Sequence, residues 1–221
     1  MSKMTKYIAS LTLIGAMVVA GVLISLQSLK FSDSVVTVAE AGRASAVHII
    51  NPLGRGSGVF IGERKILTAG HVCTRMTVAA TKIVTTNLKK VYKINKIVLS
   101  DRYPVVDLCY MVLTEDPEDV VAMPISDKPA YLTQQVYLAS YSGGVAYSFR
   151  TGIVLSDEGV VRKEYVQNVT ISSIFADPGA SGGPVFNSEL KLVGVLILKF
   201  YKPEASGFVP LHEVTEFLAK Q

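Results

Sequence analysis

Asp177-Pro178-Gly179-Ala180-Ser181-Gly182-Gly183-Pro184 is the stretch on which the reading of this chain turns. Glycines flank one serine on both sides. Glycine permits steep turns and lets another backbone come close, so a row of N–H groups here can point at a single spot. Gly179 N–H and Ser181 N–H are the candidates for stabilising an oxyanion next to the Ser181 hydroxyl. Losing one donor of that kind typically costs about 3–4 kcal/mol of barrier. The bland alternative is a Gly-rich turn with no chemistry.

Two upstream segments supply what such a serine needs. Thr68-Ala69-Gly70-His71 follows an apolar run, Lys65-Ile66-Leu67, and its small residues let the backbone turn and leave the His71 ring facing a cleft. A lone histidine is usually structural, and His48, in an apolar run, and His212, at the start of a terminal helix, read that way. In Val105-Val106-Asp107-Leu108 the aspartate lies between apolar flanks. A buried carboxylate needs a hydrogen-bonding or charged partner, because desolvation otherwise costs several kcal/mol. An imidazole N–H would serve; an aspartate in water at a strand end is the alternative.

Around these motifs the chain reads as short β-strands. One set is Ala46–Ile50, Gly58–Ile61, Lys65–Leu67, Thr77–Ala80, Tyr92–Leu99 and Leu108–Leu113. A second is Gln135–Ser140, Tyr147–Leu155, Val166–Ser172, Gly183–Phe186, Leu192–Leu198 and Gly207–Val209. They are rich in Val, Ile, Thr and Tyr, and turn residues bound them. An all-β sandwich or barrels follows. Residues 115–130 are Pro- and Asp-rich and read as a crossover between two halves. Leu211, Val214, Phe217 and Leu218 have helical spacing, which predicts a terminal amphipathic helix.

TAGH, DL and GASGGP, in this order, resemble the motifs of the chymotrypsin-like (trypsin-like) serine proteases. Gly56-Ser57-Gly58-Val59-Phe60-Ile61, Leu192-Val193-Gly194-Val195 and Gly207-Phe208-Val209-Pro210 look most like the bacterial Deg/HtrA and glutamyl-endopeptidase branches. The resemblance covers about Ala46 to Gln221. It implies two packed six-stranded antiparallel barrels of the chymotrypsin type with a C-terminal helix, and a cleft between them. It also implies a serine endopeptidase that hydrolyses protein or peptide substrates, without cofactor or metal. Ser181 would be the nucleophile, His71 the general base and Asp107 its orienting partner. Because His71 must be neutral to act, activity should rise through neutral pH. The specificity pocket would be lined by Phe175, Ile197, Leu198, Lys199 and Val209. No buried acid is evident there, so Lys or Arg at the cleaved position is disfavoured. A small or medium apolar side chain is expected, with Lys199 leaving an acidic one open.

The chain departs from the animal digestive enzymes at Ala180, where those carry an aspartate that pairs with a freshly cut N-terminus. No activation of that type is expected, and how the oxyanion loop is held becomes a question. A PDZ-like region is not expected after the barrels. Gly179-x-Ser181-x-Gly183 also fits a nucleophile elbow, but that fold needs its acid and histidine after the serine, and too little chain follows. The remaining alternative is a protease-fold binding module that no longer cleaves and only anchors a partner at a membrane.

The chain has 221 residues, 49% hydrophobic and 18% charged, which excludes a disordered chain and suits one domain plus a tail. The net charge of +4 is scattered, and no nucleic-acid motif accompanies it. Tyr7 to Leu29 carries no charge, and Lys3 and Lys6 precede it. About 20 residues of helix span a bilayer core. Residues 1–29 therefore read as an N-terminal signal-anchor or transmembrane helix, single-pass, with the N-terminus cytoplasmic and the protease domain outside. Cleavage near Ala39-Glu40-Ala41, giving a secreted form, is the alternative. Residues 30–45 read as a linker and 46–221 as the domain. Outside the cytoplasm Cys73 and Cys109 are free to pair, but sequence leaves a disulfide and two buried thiols equally open.

Overall fold

The computed structural model describes residues 35–86, 89–162, 166–202 and 204–220. Residues Ala39–Gln221 form one compact unit; of the other, Met1–Val38, only residues 35–38 are described, and they are helical. The expected membrane segment lies outside the described residues. Among those described, no helix is long and apolar enough to cross a membrane.

The body is all-β. Six strands make the first barrel: β1 (Ala46–Asn51), β2 (Gly54–Phe60), β3 (Lys65–Ala69), β4 (Lys82–Thr85), β5 (Val91–Leu99) and β6 (Leu108–Leu113). Their spatial order is β1-β2-β3-β6-β5-β4, and the sheet closes because β1 pairs with both β2 and β4. The second set is β7 (Gln135–Ser142), β8 (Ala146–Arg162), β9 (Val166–Ser172), β10 (Pro184–Phe186), β11 (Leu192–Tyr201) and β12 (Glu204–Pro210). Its order is β10-β11-β12-β9-β8-β7, closed by pairing of β10 with β7. Every pairing within the two barrels is antiparallel.

Alternation explains the strands. In β5, Tyr92 and Ile94 face inward while Val91 and Lys93 are exposed. β6 is buried on both faces, because one lines the barrel and the other meets the terminal helix, where Tyr110 packs on Phe217 at 5.8 Å. Leu138, Val185, Val193, Phe208 and Ala180 share the core of the second barrel. Burying a side chain such as Phe208 stabilises by about 2–3 kcal/mol. The helix Leu211–Ala219 buries Leu211, Val214 and Phe217, and Arg102 clasps its buried Glu213 at 2.8 Å. The crossover touches both barrels: Met123 N–H donates to the Phe60 carbonyl and Ser126 N–H to the Leu192 carbonyl, each at 2.9 Å.

Three local expectations differ from the structure. Thr77–Ala80 is a turn, and the strand comes later, at β4. The Thr77 carbonyl accepts from the Ala80 and Thr81 N–H groups and from Thr81 Oγ1, which closes the turn. β8 continues past Leu155 to Arg162 through two register shifts against β9. Within the compact unit, residues 39–45 of the segment read as a linker are helical and lead into β1. Its Ala39 carbonyl accepts from Tyr147 Oη at 3.0 Å, and its Ala44 carbonyl accepts from the Val121 N–H at 2.9 Å. Ala39–Ser45 thus belongs with the body.

His48 has the structural role expected of it. It is 6% exposed and stacks on Tyr141, with ring centroids 4.5 Å apart and planes 9° from parallel. Its Nε2 is buried without a hydrogen-bond partner among the described residues. Burial, with Arg55 adding to it, pushes its pKa down to about 4. The unfolded chain therefore binds a proton that the native state refuses between about pH 6.5 and pH 4, and stability falls as pH drops through that window. The expected loss is about 2–3 kcal/mol. Urea unfolding from pH 7 to pH 4 should show it, and His48→Phe, which keeps the stack, should lose less stability over the same range.

Candidate active site

One ladder brings His71 and Asp107 together. β3 and β6 pair with Ala69 opposite Leu108 and Thr68 opposite Cys109. His71 follows β3 in the one-turn helix Gly70–Cys73, and Asp107 immediately precedes β6. The buried Asp107 carboxylate accepts twice from the same residue. His71 N–H donates to Oδ1 at 2.7 Å, and His71 Nδ1 lies 2.7 Å from Oδ2. An ionised carboxylate only accepts, so Nδ1 carries the proton, and in the neutral imidazole Nε2 then keeps its lone pair. The backbone bond fixes where residue 71 sits, and the ring bond fixes which way the imidazole faces.

A disulfide, Cys73–Cys109, ties the same two elements. It settles the pairing that the sequence left open. Cross-links enclosing loops of a few tens of residues stabilise by roughly 3–4 kcal/mol on the chain-entropy account.

The serine loop is held from both barrels. Ser57 of β2 donates its N–H to the Ser181 carbonyl and its Oγ–H to the Gly179 carbonyl, both at 2.8 Å. Ser57 Oγ accepts from the Tyr141 N–H at 2.8 Å, and Thr68 Oγ1 donates to the Ser57 carbonyl at 2.7 Å. From the second barrel, Gly182 N–H donates to the Leu196 carbonyl at 2.7 Å, and Leu196 N–H donates to the Gly183 carbonyl at 3.0 Å. Gly182 has φ +86, and a Cβ there would lie 2.0 Å from Thr68 Oγ1 and 2.2 Å from the Ser57 carbonyl oxygen. Only glycine fits. Ala180 is fully buried in the barrel core. Its methyl group anchors the loop, and an aspartate there would be a buried charge among apolar side chains.

Ser181, His71 and Gly179 line one recess of about 120 Å³, with Arg55 and Arg75 beside them. Gly179 has φ +91. Neither Gly179 N–H nor Ser181 N–H donates to an acceptor among the described residues, so both donors are unused. Ser181 Oγ has no hydrogen-bond partner there either, the His71 ring included. Such contacts are often long before a ligand binds.

Ser181 also borders a second recess, of about 250 Å³, with Ile197, Leu198 and Lys199 among its walls. Phe175 lies beneath Lys199, its ring centroid 3.6 Å from Nζ. Val209 does not border it: this residue is buried in β12 opposite Val195. Ala176, Asp177, Pro178, Leu196 and Tyr201 line the recess and were not singled out from sequence. Asp177 is the acid not foreseen, and Arg150 holds it at 2.9 Å. Burial of Val209 depends on barrel register, which the sequence pattern does not fix to one residue.

Ser57→Ala strips two backbone groups, the Gly179 carbonyl and the Tyr141 N–H, of their partner. An unsatisfied buried group costs about 1–3 kcal/mol. Urea unfolding should show a loss of about 2–4 kcal/mol on that basis, and hydrogen exchange should quicken at the Gly182 and Gly183 amides. Unchanged exchange there would mean that Ser57 does not hold the loop.

Among solved structures, the chain is similar to the Rv3671c protease of M. tuberculosis. Its inactive form has 20% identity and a TM-score of 0.70, with 83% of this chain and 91% of that one covered. Its active form has 20% identity and a TM-score of 0.68, with 83% of each chain covered. A serine endoprotease from Yersinia pestis has 20% identity and a TM-score of 0.67, with 83% of this chain and 64% of that one covered. At this identity the likeness bears on the fold. Residues 56–195 match the family model for the trypsin-like peptidase domain, and those residues contain the His71, Asp107 and Ser181 segments. The two closed antiparallel sheets, the C-terminal helix and this match together place the chain in the trypsin-like peptidase family.

Proposed function

We propose that the chain is a serine endopeptidase in which Ser181, His71 and Asp107 act as one unit. The observation that carries the reading is the double hydrogen bond from His71 to Asp107 in a recess shared with Ser181. Nε2, left with its lone pair, takes the Ser181 Oγ proton as the oxygen attacks the scissile carbonyl. The developing oxyanion settles on Gly179 N–H and Ser181 N–H. His71 then passes the proton to the leaving amine, and Asp107 stabilises the imidazolium in between. Water, deprotonated by the same Nε2, hydrolyses the acyl-enzyme. No cofactor enters this chemistry. The Ser181 hydroxyl, without a hydrogen-bond partner among the described residues, is the one observation that favours the second reading, a binding module with the protease fold.

We also propose that residues 1–29 anchor the chain in a membrane and leave the peptidase domain outside the cytoplasm. The apolar, uncharged run from Tyr7 to Leu29 supports this. So does the Cys73–Cys109 bond, since disulfides persist in oxidising compartments.

A fluorophosphonate probe should label the native chain and not Ser181→Ala, and that substitution should lower kcat on a peptide substrate on the order of a million-fold. An unlabelled native protein would favour the binding module.

A further inference from the structure

We propose that Lys199 makes the larger recess beside Ser181 a receptor for a carboxylate, so that the chain cleaves after acidic residues. This rests on Ser181 acting as the nucleophile.

Geometry assigns the recess to one half of the substrate. His71 must reach the leaving amine, so the leaving half lies on the His71 side of Ser181. The acyl half, with the side chain next to the attacked carbonyl, lies away from His71, and the larger recess borders Ser181 without His71 among its walls. Leu196, Ile197 and Ala176 give it apolar walls.

Charge assigns the ligand. Lys199 Nζ sits 3.6 Å from the Phe175 ring centroid and 5.2 Å from that of Tyr201. Aromatic faces hold an ammonium in place without neutralising it. No carboxylate pairs with Lys199 among the described residues. Asp177, the acid on the wall, is bound to Arg150 at 2.9 Å, and the Arg150 guanidinium itself lies 5.9 Å from the Phe175 centroid. Glu204 pairs across the β-ladder with Tyr201 and forms no ion pair with Lys199. One positive charge is thus left uncompensated at the recess, half-buried against apolar walls where a charge pair is screened less than in water. An entering Asp or Glu completes a charge-assisted hydrogen bond. A glutamine of the same shape lacks the charge, and a lysine or arginine meets like charge.

The test uses the full chain and peptides identical except for Glu, Gln, Ala or Lys at the residue before the cut. A hydrogen bond to a charged group supports a kcat/KM for Glu about tenfold or more above that for Gln, with Lys the poorest. Salt should lower this preference. Lys199→Met should bring the Glu-to-Gln ratio to about one by removing that charged partner, and Lys199→Glu should favour Lys over Glu. Equal cleavage of the Glu and Gln peptides by the native chain, or a Glu preference that survives Lys199→Met, overturns the proposal while the peptidase reading stands. A native chain that cleaves none of the peptides and takes no fluorophosphonate label overturns both. If the variants fail to fold, the native Glu-to-Gln ratio and its salt dependence decide.

Discussion

Ser57 Oγ donates to the Gly179 carbonyl and accepts from the Tyr141 N–H, while the Ser57 N–H binds the Ser181 carbonyl. These bonds join the first barrel to the loop of the second at the point where the candidate chemistry would occur. Ser57 fixes the Gly179 and Ser181 carbonyls, while the Gly179 and Ser181 N–H groups have no acceptor among the described residues. The loop's internal bonds, from the Ala180 N–H to the Asp177 carbonyl and from the Gly183 N–H to the Ala180 carbonyl, use other donors and leave these two for a ligand oxygen. The constraint also explains Gly182, whose position between Thr68 Oγ1 and the Ser57 carbonyl leaves no space for a side chain. A disorganised loop would lose the aim of its donors, which is the largest single electrostatic contribution in acyl transfer.

Ala180 becomes intelligible in the same frame. A loop stabilised by an ion pair needs a partner with a matching charge. Here the residue before Ser181 is a methyl group in an apolar core, and the polar work passes to Ser57. The arrangement asks for no new N-terminus. Residues Ala39–Ser45 form a helical segment that hydrogen-bonds to Tyr147 and the crossover, so the body is completed by chain continuous with β1.

The sequence exposed what chemistry restricts to few residue types. TAGH, the aspartate between apolar flanks and the glycine-flanked serine were legible because few residues substitute for them. The all-β class was legible from Val, Ile and Thr runs between turn residues, and the terminal helix from the spacing of Leu211, Val214 and Phe217. Positions that depend on register were not legible. Thr77–Ala80 has strand-like residues, but Thr81 caps a turn back onto the Thr77 carbonyl, and the strand slides to Lys82. The resemblance points Val209 at the pocket, yet it lies buried opposite Val195, because neighbouring strand positions face opposite ways. The Cys73–Cys109 bond needed the β3–β6 ladder, which places Cys109 opposite Thr68. Ser57 stood in view within Gly56-Ser57-Gly58, yet its role needed partners about 84 and 122 residues away.

The measurement that bears most directly on this account is a crystal structure of the protein after reaction with a fluorophosphonate. Phosphorus bonded to Ser181 Oγ, with the phosphoryl oxygen accepting from both Gly179 N–H and Ser181 N–H and the His71–Asp107 bonds retained, is the predicted result. An adduct whose oxygen points away from those N–H groups, or a Ser181 left unmodified while another residue carries the label, would contradict it.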